Sequence, residues 1–257
     1  MERKLRTNKH SLISVVILVM LILYTVLLFG LLGWSILASV HSDYGGYGYN
    51  YQTYYELPFK FELHYLNVFE KFKWSGVGTF YFEDILGNTL FYSIGSAFFR
   101  TIVPCLTAYA CARYNFKTSK VIYVTCMIAM MVPIVGALPS EIRVAYFFHI
   151  GDTQLIMNNL LGTCLLKACM TGLYFFVMYS SFKSMPDDYF EAAKIDGAGN
   201  WQMLFKIGLP LIKNVFFTVF IINFVEFWND YQTPMIYLQA KPTLGYVVWA
   251  VLLVDGK

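Results

Sequence analysis

From Ser11 to Val40 the chain contains no Asp, Glu, Lys or Arg. A helix needs about 20 predominantly apolar residues to cross the hydrocarbon layer of a bilayer. Lipid offers the backbone no partner, so every N–H and C=O of a spanning segment must be bonded inside it. Ser11–Val40 exceeds that length, and it also exceeds the roughly 7–15-residue apolar core of a cleaved signal peptide, so it reads as an uncleaved anchor. Composition decides whether the chain is tethered once or wound repeatedly through the membrane. Hydrophobic residues make up 58% and charged residues 14% of the 257, with 23 Phe and 20 Tyr, whereas about 25% of an average soluble domain is charged. One soluble core could not hide that much apolar surface. A soluble enzyme, a disordered tail and a secreted disulfide scaffold are disfavoured on this ground. The net charge of +3 is too small to suggest a nucleic-acid partner.

Further apolar runs extend over about Asn88–Ala112, Val121–Leu138, Thr153–Phe182 and Leu209–Trp228, giving five expected spans. The run Tyr246–Val254 is apolar but too short to cross. Basic residues set the orientation, because loops rich in Lys and Arg stay on the cytoplasmic side. Arg3, Lys4, Arg6 and Lys9 precede the first span, and Arg113, Lys117 and Lys120 stand between the second and third with no acid beside them. Both segments are expected in the cytoplasm. Asp43, Glu56, Glu62, Glu70, Glu83 and Asp84 outnumber Lys60, Lys71 and Lys73 between the first two spans, so that loop is expected outside. The segment Pro139–Asp152, with Arg143 as its one base, is also expected outside, and Lys183–Lys213 returns to the cytoplasm. The organisation expected is a cytoplasmic N-terminus over 1–10, a first span over 11–40, an external loop over 41–87 and a membrane core over 88–257.

The returning cytoplasmic segment reads as a short, well-punctuated helix. Ser184 with Asp187 three residues later fits a capping box, and Pro186 sits where a missing N–H does no harm. Asp187, Asp188 and Glu191 favour the positive end of the helix dipole, Ala192 and Ala193 make a thin helical middle, and Gly197 is a left-handed stop. A second helix from about Asn200 leads into Leu209-Pro210 and the fifth span. Considered alone, this is an amphipathic connector with good caps, or a lever held against a partner.

Glu191-Ala192-Ala193, Gly197 and Ile207-Gly208-Leu209-Pro210 resemble the EAA loop of ABC-importer permeases. Ser181 to Pro186, Ala193-Lys-Ile-Asp-Gly-Ala198, Met130-Met-Val-Pro133, Trp228-Asn-Asp-Tyr231, Asn88-Thr-Leu and Ala108-Tyr-Ala-Cys-Ala-Arg-Tyr114 narrow the likeness. Together they are similar to the shorter permease subunit of carbohydrate importers of the maltose-transporter type, over roughly Leu57 to Val254. The resemblance implies an all-α, polytopic, type I ABC importer permease fold in the cell membrane, non-catalytic and with no cofactor of its own. It further implies a second permease subunit, a cytoplasmic ATPase dimer that carries ATP and Mg, an extracellular solute-binding protein, and a carbohydrate as solute. Carried over, Glu191, Ala192, Ala193, Asp196 and Gly197 would form the helix that docks on the ATPase, and Leu209 and Pro210 would set how the loop joins the membrane. The family has a sixth span after a short external helix. Pro242–Val254 resembles that helix, after which the chain stops at Lys257. Truncation is the expectation and a five-span version the alternative. The loop Tyr44–Tyr55, with six tyrosines and three glycines, departs from the family. It is either a low-complexity surface loop or an aromatic contact for the binding protein or a sugar.

Ionisable groups at membrane depth are costly and default to cavity-facing or paired roles. Arg100, Lys167 and Glu226 are such groups, and Glu226, Trp228, Asn229 and Asp230 lie at the outer end of the fifth span. Each is a candidate for the solute path or its gate. Snorkelling and subunit contacts are the competing roles. Asn158 and Asn159 are expected to hydrogen-bond between helices, at about 1 kcal/mol. Cys105, Cys111, Cys126, Cys164 and Cys169 read as small hydrophobes, with no disulfide expected. His10, His41, His64 and His149 have no ligand spacing, so no metal site is expected. Pro133 and Pro139 are expected to bend or end the third span. A phosphate-cradling Gly-x-x-x-x-Gly-Lys-Ser/Thr loop is missing, since Val251 stands six residues before Lys257. The energy for transport is therefore expected from a partner. Rival readings are a permease for another solute, such as polyamine or phosphate, and an ion-driven secondary transporter.

Overall fold

The computed structural model describes residues 12–39, 73–74, 79–114, 117–131, 138–150, 153–170 and 172–251. The chain divides into two compact units, Met1–Lys71 and Phe72–Lys257. In the first, α1 (Leu12–Ser39) is one uninterrupted helix. Every large apolar side chain from Val15 to Ile36 is exposed, on all faces. A helix apolar all round is suited to an apolar surrounding rather than to water.

The second unit opens with β1 (Lys73–Trp74), paired antiparallel with β2 (Phe80–Tyr81). It continues with α2 (Phe82–Arg113), α3 (Lys117–Met131) and α4 (Leu138–Phe147). The strands β3 (His149–Ile150) and β4 (Thr153–Gln154) make a second antiparallel pair, with His149 opposite Gln154. After them come α5 (Leu160–Leu166), α6 (Leu173–Lys183), α7 (Asp188–Ile195) and α8 (Asn200–Met203). A π-helical stretch, Leu204–Gly208, leads through α9 (Leu209–Leu211) to α10 (Lys213–Trp228). Two short helices, α11 (Gln232–Tyr237) and α12 (Leu244–Ala250), close the described chain.

α2 is the hub, packing against α5, α6 and α10. Its sequence shows why: Thr89, Ser93, Ala97, Thr101 and Cys105 recur every fourth residue and all are buried. Residues four apart share one helix face, and small side chains there let neighbouring backbones come close, which is how helices associate without a hydrophobic drive between them. Gly95 carries this furthest, since a Cβ there would stand 2.8 Å from Cys164 Sγ on α5. Buried Asn223 on α10 donates to Thr101 Oγ1 at 3.2 Å and to Val219 O at 3.0 Å.

Three buried clusters follow one another along α2. Ile85 packs with Val247 and Ala250 of α12. Tyr92 and Ala97 pack with Cys164, Phe227 and Tyr237. Cys105, Ala108, Tyr109 and Cys111 pack with Phe175, Met178, Phe182, Phe190 and Leu204. Asn88 and Thr89, from the Asn-Thr-Leu stretch, tie the first cluster. Asn88 Nδ2 donates to Pro242 O at 3.3 Å, and Leu244 N donates to Thr89 Oγ1 at 2.8 Å.

The all-α fold stands, but the later spans depart from single rods. Among the described residues, α1 and α2 are long and apolar enough to cross a membrane alone, with a third span if Asn200–Leu211 and Lys213–Trp228 are taken as one broken helix. The expected fourth span is interrupted. Asn158 turns the chain at φ 55°, Asn159 caps α5, Lys167 ends it, and Gly172 at φ 122° begins α6. Gly162 has no room for a side chain, because a Cβ would fall 1.8 Å from Leu155 O. Of the two asparagines, Asn158 works between segments, with its N donating to Tyr237 O at 2.6 Å and its Oδ1 accepting from Ala240 N at 2.9 Å. Asn159 instead accepts from Leu161 N and Gly162 N within its own helix. The fifth span starts at Lys213 rather than Leu209. Pro139 does not end a helix but lies in the first turn of α4, where its missing N–H goes unused. Pro133, the Tyr/Gly-rich stretch Tyr44–Tyr55, and His10, His41 and His64 lie outside the described residues. Cys105, Cys111, Cys126 and Cys164 are buried in the helix packing, and Cys169 is exposed.

Candidate coupling loop and membrane path

α7 ends as the sequence predicts. Ala198 N donates to Ala193 O at 2.9 Å and Gly197 N to Lys194 O at 3.1 Å, with Gly197 at φ 79°. This is the paired closure of a Schellman motif, which satisfies carbonyls the last turn leaves open. The start of α7 differs. Asp187 is the N-cap residue but makes no side-chain cap bond, and Ser184 Oγ donates backwards to Ser181 O at 2.9 Å. The expected capping box is therefore not formed. Asp187 is drawn elsewhere, to Arg113 at the end of α2.

Arg113 makes three contacts at once. Its Nη1 pairs with Asp187 Oδ1, its Nη2 donates to Met185 O at 3.0 Å, and its Cζ lies 4.0 Å from the centroid of the Phe190 ring. The Arg113 side chain is 8% exposed and that of Asp187 81%. A planar guanidinium can serve a carboxylate, a carbonyl and an aromatic face together, which an ammonium cannot. Beneath it, Tyr109 meets Phe182 edge-on at 5.2 Å. Gly208 seats on this pair, where a Cβ would stand 3.2 Å from Tyr109 Cε2. The loop thus has a buried side, Phe190 and Ala193, that faces α2. Its outer side carries Tyr189, Glu191, Ala192, Lys194, Ile195, Asp196 and Gly197, all exposed, with Ile195 at 86%. Leu209 packs on the same core while Pro210 is exposed. The chain then bends by 77° into α10. A π-helical stretch and a proline lacking an N–H are both recognised causes of a sharp helix bend, and here they are adjacent.

Of the six path candidates, Arg100 and Glu226 meet each other. Arg100 Nη1 on α2 pairs with Glu226 Oε1 on α10 at 3.2 Å, both side chains partly exposed, and Arg100 also lies over the Phe227 ring at 5.4 Å. Arg100 lines a cavity of about 250 Å³ with Pro104, Cys169, Gly172, Leu173 and Tyr174, at the break between α5 and α6. Lys167, at the end of α5, is not among its lining residues. Asp230 is tied into the fold: Tyr92 donates its hydroxyl to Oδ2 at 2.8 Å, and Thr233 N donates to Oδ1 at 3.2 Å. Asn229 Nδ2 turns back to Val225 O at 2.8 Å, and Trp228 packs on Phe224 at 5.8 Å. Nearby, burial and then the negative charge of Glu141 push the Tyr237 phenol above its ordinary range.

Two features escaped the sequence reading. Arg113 was legible only as a marker of orientation and as part of the Ala108–Tyr114 stretch, because its partner Asp187 lies 74 residues further along the chain. The Arg100–Glu226 pair joins residues from different spans, which no local pattern reveals.

The solved structure of a bacterial ABC transporter involved in the import of the acidic polysaccharide alginate superposes on this chain with a TM-score of 0.73 at 19% identity, covering 100% of this chain and 85% of the other. That likeness gives the fold. Among curated relatives, a probable ABC transporter permease protein of Pyrococcus horikoshii is 30% identical over 156 residues, 60% of this chain and 54% of that protein. The diacetylchitobiose uptake system permease protein of Streptomyces coelicolor is 29% identical over 150 residues, 58% of this chain and 47% of that protein. The melibiose/raffinose/stachyose import permease protein of Bacillus subtilis is 31% identical over 154 residues, 59% of this chain and 54% of that protein. The chain spans about half the length of these relatives. Residues 101–253 match the model of the binding-protein-dependent transport system inner membrane component. That match takes in α7, its glycine stop, the bend and Glu226, and by it the chain belongs to the family of binding-protein-dependent transport system inner membrane components.

Proposed function

We propose that this chain is the membrane-spanning permease subunit of an ATP-driven importer for a sugar or oligosaccharide, and that α7 couples it to a cytoplasmic ATPase. The observation that carries the reading is α7 itself, a short helix closed by Gly197, bolted to α2 on one side and presenting Tyr189, Ala192 and Ile195 outward on the other. An exposed Ile and an exposed Tyr, linked through Ala192 at successive three-residue steps on a helix only eight residues long, suit a partner's cleft better than water. Catalysis then resides on the ATPase dimer, which holds ATP and Mg. A second permease subunit completes the path, and an extracellular binding protein supplies the solute. The N-terminus is cytoplasmic, and 41–87 faces outside. The sugar assignment is supported by the relatives named for diacetylchitobiose and for melibiose, raffinose and stachyose.

The test uses the left-handed backbone at Gly197. A Cβ there meets nothing within 4 Å, so a substitution acts through backbone strain and not through a clash. Asn tolerates this conformation, whereas a β-branched residue strongly resists it. In cells given labelled melibiose, raffinose and diacetylchitobiose, Gly197→Val is expected to abolish uptake with membrane insertion intact, and Gly197→Asn to keep most of it. Full uptake by the Val variant would overturn the coupling role. Uptake that survives ATP depletion and collapses with an ion gradient would mark a secondary transporter. Transport of polyamine or phosphate with none of the sugars would reassign the solute.

A further inference from the structure

Asn200–Leu211 follows α7 and differs from it in the sign of its charge and in carrying a stacked aromatic pair. We propose that this arm lies in the lipid headgroup layer, anchored by Trp201 and Phe205 and held by Lys206 and Lys213 against anionic phospholipid, so that only α7 is left to the protein partner. The inference rests on the membrane reading of the chain for the placement of the arm, and on the coupling role proposed above for what α7 meets.

Three observations carry it. The arm is bent 77° from α10, so where α10 runs along the membrane normal the arm lies near the plane of the interface. Its apolar residues divide into two sets. Met203, Leu204 and Gly208 are buried against the protein, while Trp201 is 69% and Phe205 53% exposed. Those two rings stack with centroids 6.0 Å apart and planes within 18°, which forms one flat aromatic surface one helical turn long. An amphipathic Trp ring gathers at the membrane–water boundary, and helices lying there carry Trp, Phe or Leu on one face and Lys or Arg on the other. Charge separates the arm from α7. Lys206 and Lys213 are the only charged residues between Gly197 and Val225, and both are exposed. From Asp187 to Asp196, by contrast, Asp187, Asp188, Glu191 and Asp196 face a single Lys194. An anionic surface attracts the first segment and repels the second.

The test places the photo-crosslinking residue p-benzoylphenylalanine at Trp201, Phe205 and Ile195 in turn. The assembled transporter is irradiated in vesicles of mixed phosphatidylethanolamine and phosphatidylglycerol, and the adducts are identified by mass spectrometry. Positions 201 and 205 are expected to form phospholipid adducts enriched in phosphatidylglycerol over its share of the bilayer, and position 195 to form none. Each of Lys206→Gln and Lys213→Gln is expected to cut that enrichment by up to about fivefold. Adducts at 201 and 205 to the ATPase alone, or no adduct at either, would overturn the proposal. Lipid adducts whose composition ignores both lysines would overturn the electrostatic half of it. Loss of the coupling reading in the Gly197→Val experiment would leave the outcomes at 201 and 205 unchanged.

Discussion

At the residue scale, Arg113 has most to explain. It closes α2, and its guanidinium holds the approach to α7 through Asp187, Met185 O and the face of Phe190. The Asp187 partner is largely exposed, so water and salt weaken that pair. The ring contact and the bond to a carbonyl are the sheltered parts. Arg113→Ala is expected to remove about 1–2 kcal/mol of the docking between α7 and α2. Amide exchange in α7 should then accelerate by about tenfold while α2 stays protected, and uptake should fall for a given rate of ATP hydrolysis. Arg113→Lys keeps the charge but loses the fork and the flat stacking surface, so it should sit between the two. Asp187→Asn should cost less than either. Unchanged exchange in Arg113→Ala would mean that Phe190 and Ala193, buried beside Tyr109, hold the loop unaided.

Elements show why some parts of this fold are legible in sequence and others are not. α1 and α2 announce themselves because an unbroken apolar run longer than a bilayer has few alternatives. The stop at Gly197 is equally plain, since a left-handed residue after a helical turn favours glycine. The interruption between α5 and α6 is hidden. Its signals are Asn158, Asn159, Lys167 and Gly172, scattered through a run that still averages apolar. Such an interruption is tolerated where α2 packs against both α5 and α6. The missing capping box at Ser184 fails for a related reason: a local pattern was outbid by Arg113, 74 residues away in sequence from Asp187. The small-residue stripe of α2 is the element-scale feature that fixes the rest. Ala97 is fully buried with Tyr92, Cys164 and Phe227. Ala97→Leu inserts bulk where backbones are already close, at a cost of about 1–3 kcal/mol. Thermal unfolding of the transporter in mild detergent should occur several degrees lower. An unshifted midpoint would show that α2 and α5 can part without loss.

At the scale of the whole molecule, Arg100 and Glu226 link the two helices that dominate the packing, α2 and α10. α2 is fastened to α7 through Arg113, and α10 follows the bend and the arm, so on the proposed coupling role the pair spans the two routes by which a push on the loop would enter the membrane. Its partial exposure leaves two roles open to experiment: a strut between helices, or a polar wall of the solute path beside the cavity lined by Arg100 and Tyr174. Removing one member strands the other charge at membrane depth, which is costly unless water reaches it. Arg100→Leu and Glu226→Leu should therefore each lower uptake by about tenfold or more, since 1.4 kcal/mol already corresponds to tenfold. The exchange Arg100→Glu with Glu226→Arg distinguishes the roles. As a strut, the exchanged pair restores both the assembled transporter and most of the uptake, because attraction between the helices is symmetric in sign. As a path wall, it restores assembly but not uptake, because the solute then meets a carboxylate at the cavity where it met a guanidinium. Uptake across the sugar panel, with assembly followed by co-purification of the ATPase, reads the two outcomes separately.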